Sequence, residues 1–202
     1  MNVRLKHNLP FTAGVYYGGE MRMNHYTLTL HMTTNSTDAV SHNVAFERIK
    51  YFVYSQLDST VFINLEHDDR CQQFMAAGIT VTTLPGEPVD QLIGLMLYYK
   101  LNAIMEDRIV VDETEISSLM GENMIYLHDN NEHTDVPVIP DWWTSAEPTH
   151  SDYVTLAADK ILTMRTGSAW RELDLAWPEP TVAQDNGNIV VFADFKPTND
   201  AK

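Results

Sequence analysis

His25-Tyr26-Thr27-Leu28-Thr29-Leu30-His31-Met32 alternates polar groups with larger apolar ones, and that period of two marks a strand half-buried in a sheet. A partner strand is expected before it at residues 3–9, with Gly14, Gly18 and Gly19 breaking the chain between the two. After it, the turn-rich stretch 33–41 leads to Asn43, which can cap a helix. The apolar positions of that helix, Phe46, Ile49, Val53 and Leu57, fall at spacings of three and four.

Residues 61–65 read as a strand, 69–77 as a short helix and 79–83 as another strand. Pro85-Gly86-Glu87-Pro88 turns into a second main helix reaching about Met105, with Asp90 favourable beside the positive end of its dipole. Leu92, Ile93, Met96, Leu97, Leu101 and Ile104 wrap more than one stripe of this helix, so it is expected to be the most buried element. Residues 108–111 and 123–127 then read as two strands joined by a long loop. The fold class is α+β: an antiparallel sheet with two main helices packed on one face, plus a C-terminal appendage. Its divisions are a core at 1–128, a Pro/Asn-rich linker or arm at 129–150, and an appendage at 151–202. The appendage, with a helix at 154–163 and a strand at 188–195, is expected to pack on the core or on a neighbouring subunit.

The 202 residues carry 13 Lys+Arg against 28 Asp+Glu, a formal net charge of -15. Such a surface repels phosphate backbones, so nucleic acid is not an expected partner. The single cysteine, Cys71, allows no intrachain disulfide and reads as a packed thiol rather than a nucleophile. The longest apolar run, 92–97, falls well short of the ~20 residues that cross a bilayer, and no apolar run follows the charged N-terminus. A cytoplasmic protein of a cell or a virus, without membrane contact, is expected.

The strong catalytic motifs are missing: no GxxxxGK, GxGxxG, HExxH, paired CxxC or GxSxG occurs. His25 and His31 project from one strand face roughly 20 Å apart at ~3.3 Å per residue, too far to share an ion. His7 and His25, on adjacent strands, are the weak metal candidates. Two imidazoles fall short of the three or four ligands of a stable zinc site, so neither metal nor cofactor is expected. His128, Asp129, Glu132 and His133 read as a solvated polar loop. Glu113 ends a strand within an acidic run, where a carboxylate aimed into a cleft accepts two N–H donors from a guanine- or pterin-like ring edge. Asp141-Trp142-Trp143, between Pro140 and Pro148, has neither helical nor strand periodicity, so one indole is expected to dock and the other to stay partly exposed, and Trp142 and Trp143 are both candidate contacts for a protein partner. Trp170 and Trp177 are expected to share a face and anchor the tail.

The order of elements resembles the tunnelling fold of the pyruvoyl- and carboxy-tetrahydropterin synthases. The strand from His25-Tyr26, the helix through Phe46-Glu47-Arg48-Ile49 to Leu57-Asp58, Thr82-Thr83 before the long helix, and Val111-Asp112-Glu113-Thr114 before a closing strand carry the likeness over about 3–128. It implies that Glu113 anchors a pterin, in a homo-oligomer whose subunit interfaces form the pockets. The departures are specific: Met23-Asn24-His25 stands where the family has His-x-His, and Leu57-Asp58-Ser59 replaces its Leu-Asp-His. Two readings follow. One is a non-catalytic, acidic interaction or accessory protein with a protein partner. The other is a tunnelling-fold protein that binds a pterin or purine, or a degenerate synthase.

Overall fold

The computed structural model describes residues 3–34, 38–129, 141–148 and 169–178. Two long strands, β1 (Val3–Tyr17) and β2 (Glu20–Thr34), form a hairpin through Gly18 and Gly19, whose positive φ angles suit the tight reversal. Helix α1 (Ala39–Tyr51) follows and continues as a π-helical segment, Phe52–Leu57. Then come β3 (Val61–Asn64), α2 (Asp68–Ala76), β4 (Val81–Leu84), α3 (Asp90–Met105), β5 (Ile109–Ser118) and β6 (Tyr126–Asp129). The six strands lie in the order β4-β3-β1-β2-β5-β6. The β1–β2, β2–β5 and β5–β6 pairs are antiparallel, whereas β3 and β4 join the β1 edge in parallel, so the sheet is mixed. The parallel pair follows from α2, the helical crossover between β3 and β4.

Alternation decides which side is covered. Leu9 and Phe11 of β1 with Tyr26, Leu28 and Leu30 of β2 face α1 and α3, whose Ile49, Phe52, Leu97 and Leu101 are buried against them. Each such side chain contributes about 1.5–3 kcal/mol on leaving water. A smaller cluster, Tyr16, Val61, Ile63, Cys71 and Val81, seats α2 on the opposite face at the β3–β4 end. The rest of that outer face is polar and carries no helix among the described residues.

The cap of α1 differs from expectation. Asp38, not Asn43, accepts from the amides of Val40 and Ser41 at 3.0 and 3.1 Å, so the helix begins a turn earlier. His128 lies buried in β6 against α3, at the glycine gap of Gly94, rather than in a solvated loop. Glu132, His133, the helix at 154–163 and the strand at 188–195 lie outside the described residues. No helix among the described residues is long and apolar enough to cross a membrane.

Trp142 and Trp143 are both buried, at 1% and 3% exposure, which corrects the expectation of one exposed, partner-seeking indole. A short 3-10 turn, Trp142–Thr144, splays the two rings into an edge-on pair, so both enter the core where an extended chain would turn one out. Trp142 donates to the Thr83 carbonyl at 2.8 Å and stacks on Phe52. The buried Lys100 ammonium reaches from α3 to the carbonyls of Ser145 and Glu147 at 2.8 and 2.7 Å, fixing this segment.

Candidate functional site

The outer face becomes chemically distinctive where β2 meets β5. His31 pairs with Glu113 while the next residue, Met32, pairs with Val111, so Asp112 is an extra residue in β5. This β-bulge breaks simple alternation. Val111 and Thr114 stay buried on the helix side, whereas Glu113 and Glu115 both reach the outer face beside His31. Lys6 of β1 lies on the other side of His31 in register, placing a cation in the same row.

Within this row the partners are unequal. The His31 Nε2 atom lies 2.5 Å from Glu115 Oε1, and Lys6 donates to the same oxygen at 3.3 Å. The His31 contact holds the Glu115 carboxyl below the usual carboxylate range, with Lys6 adding to the effect and partial burial opposing it. Glu113 lies farther off, with Oε1 3.6 Å from His31 Nε2, and accepts no hydrogen bond from the described residues. Glu113 lines a cavity of about 420 Å³ together with Arg4, Leu5, His31, Met32, Thr33 and Asp112. Thr33 donates to Asp112 at 2.5 Å, which pins the bulged residue to one wall.

His31, Glu113 and Glu115 each present one ligand atom within 4.8 Å of the other two. One imidazole and two carboxylates suit a divalent ion of intermediate hardness. The sequence reading missed this trio, because His31 and Glu115 are 84 positions apart and meet only through the bulged register. A carboxylate pair two residues apart on a strand end was its only visible sign.

The weak metal candidates do not converge. His7 faces the helix layer, pairs with Leu30 in register and meets Phe46 edge-on at 6.5 Å. Burial first, and then the charge of Lys50, push its pKa below the ordinary histidine value. His25 lies on the outer face, with Nδ1 2.8 Å from the Thr12 hydroxyl. Opposite faces of one sheet separate them, so they cannot share an ion.

No family model and no curated protein matches the chain. Among solved structures, an uncharacterized protein from Wolinella succinogenes is similar at 11% identity and a TM-score of 0.48, covering 65% of this chain and 99% of that one. The 6-pyruvoyl tetrahydropterin synthase of Plasmodium vivax is similar at 12% identity and a TM-score of 0.44, with the same coverage. That of Plasmodium falciparum reaches 12% identity and a TM-score of 0.40, over 63% of this chain and 98% of that one. The chain thus bears a weak resemblance to these synthases, at the level of fold alone.

Proposed function

We propose that the chain is a small-molecule-binding protein that takes a guanine- or pterin-like ring edge on Glu113. The observation that carries this reading is Glu113 in the wall of a cavity, its carboxylate accepting no hydrogen bond among the described residues. Glu115 takes the His31 and Lys6 hydrogen bonds, which leaves Glu113 with a looser 3.6 Å contact to His31 that a ligand can replace. A carboxylate that accepts no hydrogen bond among the described residues suits two N–H groups on one planar edge, and each such charge-assisted bond is worth ~1.5–3 kcal/mol. Arg4, also in the lining, adds a cation for an acidic substituent on the ring.

A protein-contact reading draws on a different observation. Met23, Leu119, Met124, Ile125 and Leu127 are all more than half exposed around the β1–β2 hairpin and the β5–β6 connection. The buried Trp142 and Trp143 no longer contribute to it.

Thermal shift with guanosine, guanosine monophosphate and neopterin separates the two. Stabilisation of the unaltered protein by one of these, lost in Glu113→Gln, supports the ligand reading. An unmoved melting temperature, or equal stabilisation of Glu113→Gln, favours the contact reading.

A further inference from the structure

Among the described residues, His31, Glu113 and Glu115 are the one group of three histidine, cysteine or acidic side chains whose ligand atoms all come within 4.8 Å of one another. Pairing brings them together. β2 supplies the imidazole and β5 two carboxylates, on the side of the sheet that no described helix covers. Lys6, His31, Glu113 and Asp129 form one row across β1, β2, β5 and β6, so Asp129 places a third carboxylate on this face beside Glu113.

The spacing suits an ion. Bonds of ~2.0–2.2 Å from a divalent ion to nitrogen and oxygen set neighbouring ligand atoms roughly 3–3.5 Å apart. His31 Nε2 and Glu113 Oε1 already stand at 3.6 Å. The 2.5 Å contact between His31 and Glu115 has to open by about 0.5–1 Å. The cation already present is weakly held: Lys6, 56% exposed, reaches one Glu115 oxygen at 3.3 Å, a contact that yields to a stronger partner. No lysine or arginine among the described residues forms an ion pair with Glu113.

We propose that these three side chains hold a divalent ion of the first transition row, its remaining positions open to the cavity that His31 and Glu113 line. The imidazole discriminates against Mg²⁺ and Ca²⁺, which favour oxygen, and the two carboxylates balance the charge of the ion. Three protein ligands are the number found where a metal keeps a place for water or substrate; a closed structural site takes four. His7 and His25 have no part in it. The expectation of no metal counted imidazoles alone, whereas two of these ligands come from β5. Ion and ring edge draw on the same Glu113 carboxylate, but the ion does not rest on the ring-edge reading, and its test contains no ring compound.

Calorimetric titration of the full chain, without a purification tag and stripped with chelator, tests the site with Mn²⁺ and Mg²⁺ as probes. One Mn²⁺ per chain is expected, bound roughly tenfold or more tightly than Mg²⁺. The bound Mn²⁺ is expected to enhance water-proton relaxation, because water fills its open positions. His31→Ala and Glu115→Gln are each expected to lower Mn²⁺ affinity roughly tenfold or more, and His31→Ala also to erase the preference over Mg²⁺. His25→Ala, on the same face but outside the trio, is expected to change neither. No Mn²⁺ binding, equal affinity for Mg²⁺, undiminished binding to His31→Ala, or an equal loss in His25→Ala overturns the proposal. The comparison of ions needs no variant, so a misfolded variant does not remove the test. Stabilisation by guanosine or neopterin without Mn²⁺ binding would remove the ion alone, and Mn²⁺ binding without that stabilisation would remove the ring-edge reading alone.

Discussion

Arg48 of α1 stacks on Trp177, its guanidinium carbon 3.9 Å from the indole centroid, while Trp170 covers it at 4.7 Å. The same side chain donates to the carbonyls of Leu175 and Ile104, at 2.8 and 3.1 Å, and pairs with Glu106 at 2.9 Å. One buried cation therefore ties residues 169–178 to α1 and to the end of α3. Arg48→Ala removes the cation–π contacts and hydrogen bonds together, and also leaves a void. A loss of roughly 2–4 kcal/mol is expected, because Glu106, 42% exposed, stays hydrated and adds no stranded charge. Urea unfolding followed by tryptophan fluorescence measures it; a loss under half a kcal/mol would mean that the segment is not held by this side chain.

The two main helices are readable in the residues because Ile49, Val53 and Leu57, and the apolar wrap of α3, repeat at helical spacing over several turns. β2 is readable for the matching reason at period two. Trp142 and Trp143 have no such period, and their burial depends on a 3-10 turn and on the distant Thr83 carbonyl. The Glu113 site is half readable. Its carboxylates stand in sequence, but the bulge that aims them is a property of pairing with β2, which no local pattern reveals.

Gly94→Ala is expected to destabilise the protein although alanine is the better helix former. A β-carbon there would come within 2.5 Å of Ile116 Cγ2 and 2.7 Å of His128 Nε2, both on buried side chains. Helix propensity returns about 1 kcal/mol. Overpacking a rigid contact costs about 1–3 kcal/mol, and with two clashing neighbours the clash wins. A net loss of roughly 1–2 kcal/mol in chemical denaturation is the expected result, and a stabilised variant would show that α3 can lift from β5 and β6 at little cost.

Acid weakens the fold in two steps. Because burial and Lys50 depress the pKa of His7, the unfolded chain binds that proton more readily than the folded one. The stability it contributes is full above about pH 6.5 and is lost as pH falls from there through the depressed folded value. Glu115, depressed chiefly by His31, contributes stability above about pH 4.3 that is lost as pH falls through its own folded value. His7→Leu should flatten the upper step and leave the lower one. Urea midpoints across about pH 2 to 8 test this, and parallel profiles for the two proteins would assign the upper step to another histidine.

Deleting Asp112 separates the needs of the site from those of the fold. Val111 pairs with Met32 and Glu113 with His31, so removal of the intervening residue leaves a regular ladder with every other pair in register. Val111 and Thr114 stay inward, Glu113 and Glu115 stay outward, and only the Thr33–Asp112 contact disappears. That contact is exposed, and a neutral donor to an exposed carboxylate is worth about 1 kcal/mol at most once water competes. Regular pairing regains ladder hydrogen bonds that a bulge interrupts, so the two effects nearly cancel. The melting temperature is therefore expected to shift by only a few degrees. The cavity wall built by Asp112 is lost and β5 straightens, so stabilisation by a Glu113 ligand should fall as much as in Glu113→Gln. A deletion variant that unfolds would show that the bulge is part of the fold's own register; one that retains full ligand stabilisation would show that Glu113 needs no help from its irregular strand.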